Sequence, residues 1–279
     1  MWSSKDIYYI SDSTGILATN LGHALICQFP EINFHEETFP FVLTVDEAEK
    51  TLAYILKQSI GRRPLIFSTI MDPKIRKIFD SSEVELFDAF DIFLDRLENC
   101  LEAKALRVAG FSRHIDNMTM AKRVEAIHYC LEHDDGVRTD ELDDADVILL
   151  GVSRAGKTPV SVYLATQMGL KAANFPLTSE YLKQFKLPEG VIRNKERAIG
   201  LTLKPEILCD IRQKRYAGSD YAKLITCIEE LEQADRIYKK NKIPVITTSG
   251  KSIEEIATQV SQELGISKKT TNLNGHFNR

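Results

Sequence analysis

The chain of 279 residues is 43% hydrophobic and 27% charged, and its formal net charge is −4. A chain of this length buries a sizeable core and is expected to form one large or two modest domains. The small negative charge argues against a general nucleic-acid or membrane binder. No apolar run approaches the length of a transmembrane helix. The five cysteines are scattered and form no C-x-x-C pair, which is typical of reduced thiols in a cytoplasmic protein.

The N-terminal part of the chain alternates between short apolar runs and longer amphipathic segments. Strands are predicted at 6–10, 33–39 and 65–68, and helices at about 16–27, at 45–60 and, as a pair, within 72–103. The predicted apolar face of the first helix consists of Leu17, Leu21, Ala24 and Leu25. Because such an alternation is typical of a parallel sheet with covering helices, we assign residues 1–105 to an N-terminal α/β domain.

Residues 106–139 are predicted to form a connector that includes one helix, at 119–132. The apolar side chains at helical spacing in this helix are Met120, Val124, Ile127 and Leu131. The helix ends at His133, and the Asp134-Asp135-Gly136 sequence after it is ordinary turn chemistry. Alternatively, Asp134 or Asp135 is a general base for a hydroxyl group, or a metal-orienting group. The pattern alone leaves both interpretations open.

The segment after the apolar run 146–150 fits the phosphate-binding P-loop pattern G-x-x-x-x-G-K-[ST] without a mismatch. Its glycines allow several backbone N–H groups to point into one cup that holds phosphate oxygens. Lys157 supplies positive charge to the phosphates, and Thr158 offers its hydroxyl group to Mg²⁺. A helix predicted at 157–168 directs its positive dipole end at the same anion. The predicted nucleotide-binding residues are Gly151, Val152, Ser153, Arg154, Ala155, Gly156, Lys157 and Thr158.

The rest of the chain completes a second α/β unit. Strands are predicted at 172–176, 198–202 and 243–248, and helices at about 205–215, 219–241 and 252–264. Residues 140–279 are therefore assigned to a P-loop nucleotide-binding, kinase-like domain. The predicted fold class is α/β, with an N-terminal parallel α/β unit followed by this kinase-like domain.

Basic side chains near the phosphate loop are further candidates. Arg154 lies inside the loop, where a guanidinium group can bind a second phosphate, including one on a partner. The alternative is a solvated arginine at the loop mouth. Arg212, Lys214 and Arg215 on the helix at 205–215 either form a lid that closes over phosphates or a solvated basic face. Segment 11–15 follows the first strand, at the edge where parallel sheets bind ligands, and is a candidate on that ground.

Several motifs follow one another along nearly the whole chain. They include Tyr9-Ile10-Ser11-Asp12-Ser13-Thr14-Gly15, Arg63-Pro64-Leu65-Ile66-Phe67, His133-Asp134-Asp135-Gly136, Asn174-Phe175-Pro176, Ile199-Gly200-Leu201-Thr202 and Ile253-Glu254-Glu255-Ile256-Ala257. The most specific motif, Gly-Val-Ser-Arg-x-Gly-Lys-Thr-Pro, begins at Gly151. In this order the set resembles the bifunctional regulatory proteins of phosphoenolpyruvate synthase and of pyruvate, phosphate dikinase.

The resemblance implies a serine/threonine kinase and a phosphorylase in one protein. Members transfer the β-phosphate of ADP to a threonine near the catalytic histidine of the target enzyme, which inactivates it. They remove the group again with inorganic phosphate and release pyrophosphate. ADP, Mg²⁺ and inorganic phosphate are thus the expected ligands. Lys157 and Arg154 are expected to stabilise charge during transfer, and Asp134 or Asp135 to deprotonate the threonine.

The expected protein substrate is phosphoenolpyruvate synthase, because Leu21-Gly22-His23-Ala24 and the short link between 176 and 199 look more like that branch of the family. Pyruvate, phosphate dikinase is the alternative target. No nucleic acid or membrane partner is expected. The sequence leaves the oligomeric state open, with a homodimer as one alternative.

Three other classes of protein compete with this interpretation. A small-molecule kinase shares the P-loop but leaves the N-terminal unit unexplained. A GTPase-type nucleotide switch has an Asp-x-x-Gly motif after the P-loop and an Asn-Lys-x-Asp motif. Here Asp12-Ser13-Thr14-Gly15 precedes the P-loop, and Asn194-Lys195-Glu196-Arg197 lacks the final aspartate. A non-catalytic scaffold would leave the P-loop lysine, Lys157, without a purpose.

Overall fold

The computed structural model describes residues 4–109 and 117–266. The chain divides into two compact units, Met1–Ile115 and Asp116–Arg279, and each contains one four-stranded sheet. The division falls inside the segment 106–139 that the sequence assigns to a connector. Among the described residues, no helix combines the length and the apolar character needed to cross a membrane.

The first unit is a parallel sheet with helices on both faces. Its strands are β1 (Ser4–Ser11), β2 (Asn33–Phe39), β3 (Leu65–Thr69) and β4 (Glu85–Asp88), in the order β2-β1-β3-β4. Its helices are α1 (Ile16–Ile26), α2 (Val45–Gln58), α3 (Pro73–Phe79) and α4 (Asp91–Leu101). Successive residues of a strand point to opposite faces, and in β1 both sets are buried. Tyr8 and Ile10 belong to one core cluster, and Ile7 and Tyr9 to another.

Helix α1 packs through its small residues, so the apolar face predicted for it is wrong. Ala18 and Gly22 are buried, whereas Leu17 and Leu25 expose 53% and 47% of their surface. A Cβ atom on Gly22 would lie 2.2 Å from Cε1 of Tyr9. Helix and sheet therefore approach each other more closely than large side chains between them would allow.

A strand interrupts the region 72–103, in which the sequence predicts only two helices. Both helices form, as α3 and α4, but β4 lies between them and pairs with β3 in parallel. Asp72 accepts a hydrogen bond from the backbone of Lys74, and Pro73 occupies the first turn of α3, as expected of a helix start. Strand β4 is only four residues long and lies at the sheet edge, so it carries no readable alternation.

The second unit is also a parallel sheet covered by helices. Its strands are β5 (Val147–Gly151), β6 (Ala172–Pro176), β7 (Ala198–Thr202) and β8 (Val245–Thr247), in the order β6-β5-β7-β8. Its helices are α5 (Asn117–Glu132), α6 (Lys157–Tyr163), α7 (Ser179–Gln184), α8 (Glu189–Arg193), α9 (Pro205–Gln213), α10 (Leu224–Asn241) and α11 (Ile253–Glu263). The α/β class predicted from the sequence is confirmed, although α7 and α8 occupy a stretch without a predicted element.

Helix α5 differs from the prediction in the face that it buries. Ala126 and Cys130 are buried, and Ile127 of the predicted face packs against them, whereas Met120, Val124 and Leu131 expose 62%, 45% and 69% of their surface. As in α1, the small side chains make the close contact. Helix α11 follows its predicted bounds of 252–264 more closely, and Ser252 and Glu255 form a capping box at its start.

Candidate active site

The predicted phosphate-binding loop, residues 151–158, joins the central strand β5 to helix α6, in the strand–loop–helix order that its sequence pattern requires. Gly156 has φ +93°, a left-handed conformation that a glycine adopts without strain. At Gly151, a Cβ atom would lie 3.1 Å from the carbonyl oxygen of Leu201 on β7. The two glycines therefore serve different needs, a turn at the start of α6 and a close approach between neighbouring backbones.

Lys157 is buried, with 6% of its surface exposed. Its Nζ donates a hydrogen bond to the carbonyl oxygen of Val152 at 3.0 Å, so the ammonium group lies across the inside of the loop. Burial lowers the pKa of Lys157 to about 8. The carboxylates of Asp135 and Asp134 oppose this lowering, and the guanidinium groups of Arg154 and Arg212 add to it. Both aspartates are thus close enough to the lysine to act on its charge.

Asp134, Thr158 and Asn174 form one hydrogen-bonded cluster beside the loop. The hydroxyl group of Thr158 donates to Oδ1 of Asp134 at 3.2 Å. Nδ2 of Asn174 donates to Oγ1 of Thr158 at 2.8 Å and also to Oδ1 of Asp134. The cluster brings one predicted aspartate, the predicted Mg²⁺ ligand Thr158 and a residue of β6 into direct contact.

Backbone hydrogen bonds hold the two aspartates at this position. The N–H of Asn174 donates to the carbonyl oxygen of His133 at 2.9 Å, and the N–H of Gly136 donates to that of Asn174 at 2.9 Å. Segment 133–136 is thereby fastened to β6. Asp135 and Gly136 have φ +52° and +77°, so the chain turns sharply after Asp134. This turn leaves Asp135 exposed while Asp134 faces the cluster.

The donor atoms of this cluster fit a magnesium ion. Oδ1 of Asn174 is buried and has no hydrogen-bond partner among the described residues. The amide atom that contacts Asp134 and Thr158 is Nδ2 and not this oxygen, so the oxygen donors of the cluster are the carboxylate of Asp134 and the hydroxyl group of Thr158, the kind of ligand that Mg²⁺ prefers. Residues 4–109 and 117–266 contain no group of three or more His, Cys, Asp or Glu side chains that could hold a metal. Mg²⁺ is usually bound by one or two carboxylates together with substrate phosphates and water.

Arg154 has a strained backbone at the apex of the loop. Its φ is +74°, in the left-handed region that non-glycine residues seldom adopt. Its Nε is buried and makes no hydrogen bond within the described part of the chain. A strained residue with an unused donor beside a phosphate loop is an observation that favours a binding role.

Arg212 is completely buried, so neither the lid nor the solvated face expected of it applies. Its Nη2 donates to the carbonyl oxygen of Ser153 at 3.1 Å and to Oε2 of Glu230 at 2.6 Å. Its Nη1 donates to the carbonyl oxygen of Tyr221 at 3.1 Å. One guanidinium group thus joins the phosphate loop to α10 and to the turn before it. Lys214, from the same predicted basic group, is exposed.

In the candidate segment 11–15 of the first unit, the aspartate has a structural role. Asp12 is buried, and its Oδ2 accepts a hydrogen bond from the N–H of Met71 at 2.6 Å. Burial raises the pKa of Asp12, against the effect of that bond. The carboxylate therefore ties the end of β1 to the loop that follows β3.

The positions of Asn174 and Arg212 are not predictable in the same degree from the sequence. A signal for Asn174 exists, because it is the one polar side chain in the otherwise apolar run 172–176, and a buried polar group needs partners. No comparable signal marks Arg212, which stands among other charged residues at 212–215. Its burial depends on how α9 and α10 pack beside the loop.

Comparison with known proteins adds to this geometry. A model of the family described as kinase/pyrophosphorylase matches residues 7–261. The chain is 47% identical over 264 residues to a protein of Desulfotalea psychrophila, and the aligned region covers 95% of this chain and 97% of that protein. It is 42% identical over 264 residues to a protein of Shewanella frigidimarina, and the aligned region covers 94% of this chain and 97% of that protein. It is 40% identical over 267 residues to a protein of Marinobacter nauticus, and the aligned region covers 95% of this chain and 98% of that protein. All three are named "Putative phosphoenolpyruvate synthase regulatory protein".

Proposed function

Since the chain belongs to the kinase/pyrophosphorylase family, we propose that it reversibly phosphorylates phosphoenolpyruvate synthase. In the forward direction the β-phosphate of ADP passes to a threonine hydroxyl group of the synthase, which gives phosphothreonine, AMP and a proton. In the reverse direction inorganic phosphate attacks the phosphothreonine, which regenerates threonine and releases pyrophosphate. The names of the relatives support the choice of target. The observation that carries the chemistry is the convergence of Lys157, Thr158 and Asp134 at the end of β5.

The phosphate loop serves both directions of this reaction. Its backbone N–H groups and the ammonium group of Lys157 hold the β-phosphate of ADP in the forward direction, and inorganic phosphate in the reverse direction. In either case the enzyme needs one phosphate fixed while an oxygen of the second reactant approaches it. Arg154 lies at the apex of the same loop and stabilises the negative charge that the transferred group carries.

The two aspartates divide the remaining tasks. Asp134 is held by Thr158 and Asn174, so it is placed to bind Mg²⁺ together with the hydroxyl group of Thr158. Mg²⁺ bound there would neutralise charge on the phosphate oxygens. Asp135 is exposed next to this cluster and accepts the proton of the threonine hydroxyl group as it attacks. General-base catalysis of this kind contributes about 10²–10⁴-fold to a rate.

Transfer of radiolabel tests this function directly. The protein is incubated with ADP labelled in the β-phosphate, Mg²⁺ and phosphoenolpyruvate synthase, with and without prior phosphorylation of the catalytic histidine of the synthase. We expect label on a threonine of the synthase, and its removal by inorganic phosphate with release of labelled pyrophosphate. The Lys157→Ala variant is the control, since it keeps the loop backbone but lacks the charge.

The outcomes separate the alternatives. Label on pyruvate, phosphate dikinase but not on the synthase would change the target and keep the chemistry. Label transferred from the γ-phosphate of ATP, but not from ADP, would contradict the proposed donor. Failure with both target enzymes and both donors would overturn the proposed activity.

A further inference from the structure

A cavity of about 410 Å³ lies beside the phosphate-binding loop, lined by Ser153, Arg154, Tyr216, Ser219 and Tyr221. One wall is the apex of the loop, and the other is the connection between α9 and α10. Sites for small molecules commonly have volumes of about 300–1,000 Å³. The cavity is thus large enough for one part of a nucleotide whose phosphates occupy the loop.

Two tyrosine rings form the wall opposite the loop. The rings of Tyr216 and Tyr221 meet edge to face, with centroids 5.7 Å apart and an interplanar angle of 86°. The guanidinium carbon of Arg212 lies 3.9 Å from the centroid of Tyr221, and Arg212 also binds the backbone of that residue. Tyr221 is therefore held in place from within the protein. Tyr216 exposes 51% of its surface, so its ring remains accessible to a flat ligand.

The loop side of the cavity is polar. Ser153 is exposed, and Arg154 carries a buried Nε without a hydrogen-bond partner among the described residues. An aromatic wall on one side with hydroxyl and guanidinium groups on the other suits a nucleoside better than a purely apolar group. Any of the nucleobases can stack on a tyrosine ring, because each has a flat aromatic face. A ribose or phosphate oxygen can accept hydrogen bonds from the polar side.

The sheet order places this cavity and the two aspartates on different flanks of the loop. Segment 133–136 is fastened to β6, on one side of β5. The connection between α9 and α10 follows β7, on the other side of β5. In phosphoryl transfer the attacking and leaving oxygens lie roughly in line, on opposite sides of the phosphorus. If Asp135 receives the proton of the attacking hydroxyl group, the leaving nucleotide belongs on the flank of the cavity.

We propose that the cavity between the loop apex and Tyr216 holds the nucleoside of the phosphoryl donor, with its base stacked on the ring of Tyr216. This inference rests on the proposed function, because it takes a nucleoside diphosphate as the donor. It assigns Tyr216 a role in donor binding and none in holding the phosphates. Pyrophosphate, which lacks a nucleoside, should therefore bind independently of Tyr216.

Calorimetric titration with ADP and with pyrophosphate, both with Mg²⁺, tests the proposal. The Tyr216→Ala variant should bind ADP about tenfold more weakly, a loss typical of removing one aromatic–base stack, and bind pyrophosphate as the wild type does. Tyr216→Phe, which keeps the ring, should restore ADP binding. Tyr54→Ala is the matched control, since Tyr54 of α2 is a similarly exposed tyrosine, at 41%, in the other unit.

The other outcomes of these titrations overturn the assignment of the cavity, and the labelling assay tests the proposed activity separately. Unchanged ADP binding by Tyr216→Ala would place the nucleoside elsewhere, and an equal loss of ADP and pyrophosphate would indicate damage to the loop instead. If Tyr216→Ala raises only the KM for the synthase, the cavity binds the protein substrate. If the wild type binds pyrophosphate but not ADP, the donor in the proposed function is wrong. If ADP binding depends on Tyr216 but no label reaches a target enzyme, the subsite stands and the proposed activity fails.

Discussion

Lys157 combines deep burial with a position among four charged side chains. Removal from water disfavours its ammonium form, and Arg154 and Arg212 act in the same direction, while Asp134 and Asp135 oppose them. A lysine with a pKa of about 8 loses its charge at mildly basic pH. A bound phosphate supplies the negative charge that favours the ammonium form. Binding of phosphate and protonation of the lysine are therefore coupled.

The pH dependence of pyrophosphate binding should show this coupling. Because the pKa of Lys157 in the free protein is lowered to about 8, the affinity should fall as the pH rises through that value, and binding above it should take up a proton. Titration calorimetry in buffers of different ionisation enthalpy measures both quantities. Lys157→Met is the control, since ionisation of the ligand affects both proteins alike. A difference between the two proteins that does not change with pH would contradict the coupling.

The two aspartates should fail in different ways when each is replaced. Asp135→Asn should lower the rate of phosphoryl transfer by about 10²-fold or more, in line with the loss of a general base, and leave the Mg²⁺ requirement unchanged. Asp134→Asn should raise the Mg²⁺ concentration needed for half-maximal activity, because one carboxylate ligand is lost. Steady-state kinetics over a range of Mg²⁺ concentrations separates the two effects. Identical behaviour of the two variants would exclude the proposed division of tasks.

Helices α1 and α5 show how an element can form as predicted and still bury a different face. In both, the buried residues are small, Ala18 and Gly22 in α1 and Ala126 and Cys130 in α5. Large apolar side chains dominate the prediction of a buried helix face, because their burial contributes the most free energy. Close packing of a helix on a sheet instead requires small residues where the backbones approach.

Gly22→Ala in α1 tests this packing. The added methyl group would meet the ring of Tyr9 at 2.2 Å, and Tyr9 is fixed by its hydrogen bond to Glu36 at 2.6 Å. Overpacking of this kind costs typically about 1–3 kcal/mol, which outweighs the gain of about 1 kcal/mol that alanine has over glycine in a helix. Urea unfolding should show a net loss of stability. Asn20→Ala, at an exposed position of the same helix, should show no such loss, and a stabilised Gly22→Ala would refute the account.

At the scale of the whole molecule, the chain consists of two units with separate sheets and cores. Every residue assigned to the phosphate site, from His133 to Arg212, lies in the second unit. That unit buries its central strand β5 completely and contains the largest of the core clusters. The residues to which we assign phosphate binding therefore all lie within 116–279.

A fragment comprising residues 116–279 should accordingly fold and bind pyrophosphate with the affinity of the full chain. Circular dichroism and titration calorimetry measure the two properties. The same fragment with Lys157→Ala is the control for specific binding. A folded fragment without affinity would show that the first unit completes the phosphate site, and the assignment of the whole site to one unit would be wrong.

The α/β class and most of the strands and helices could be predicted from the sequence alone, and the structure places the predicted phosphate loop between a strand and a helix, as its pattern requires. These features depend on local patterns: apolar runs, helical spacing, caps, and a loop whose glycines and lysine stand at fixed intervals. Strand β4 is not predicted from the sequence, because a strand of four residues at a sheet edge is too short to show an alternation of apolar and polar side chains. The hydrogen bond between Thr158 and Asp134 could not be predicted from the sequence either, since 24 residues separate the two along the chain.

The identity of the side chains that surround the loop depends on the tertiary fold. Asn174 reaches Asp134 and Thr158 because β6 lies next to β5 in the sheet, and strand order is not a local property of the chain. Arg212 looked like a surface residue, and the packing of α9 and α10 buried it against Ser153 and Glu230. Local sequence specifies elements through interactions between near neighbours. A site assembled from several elements depends on contacts between distant residues, which form only when the sheet and its helices are complete.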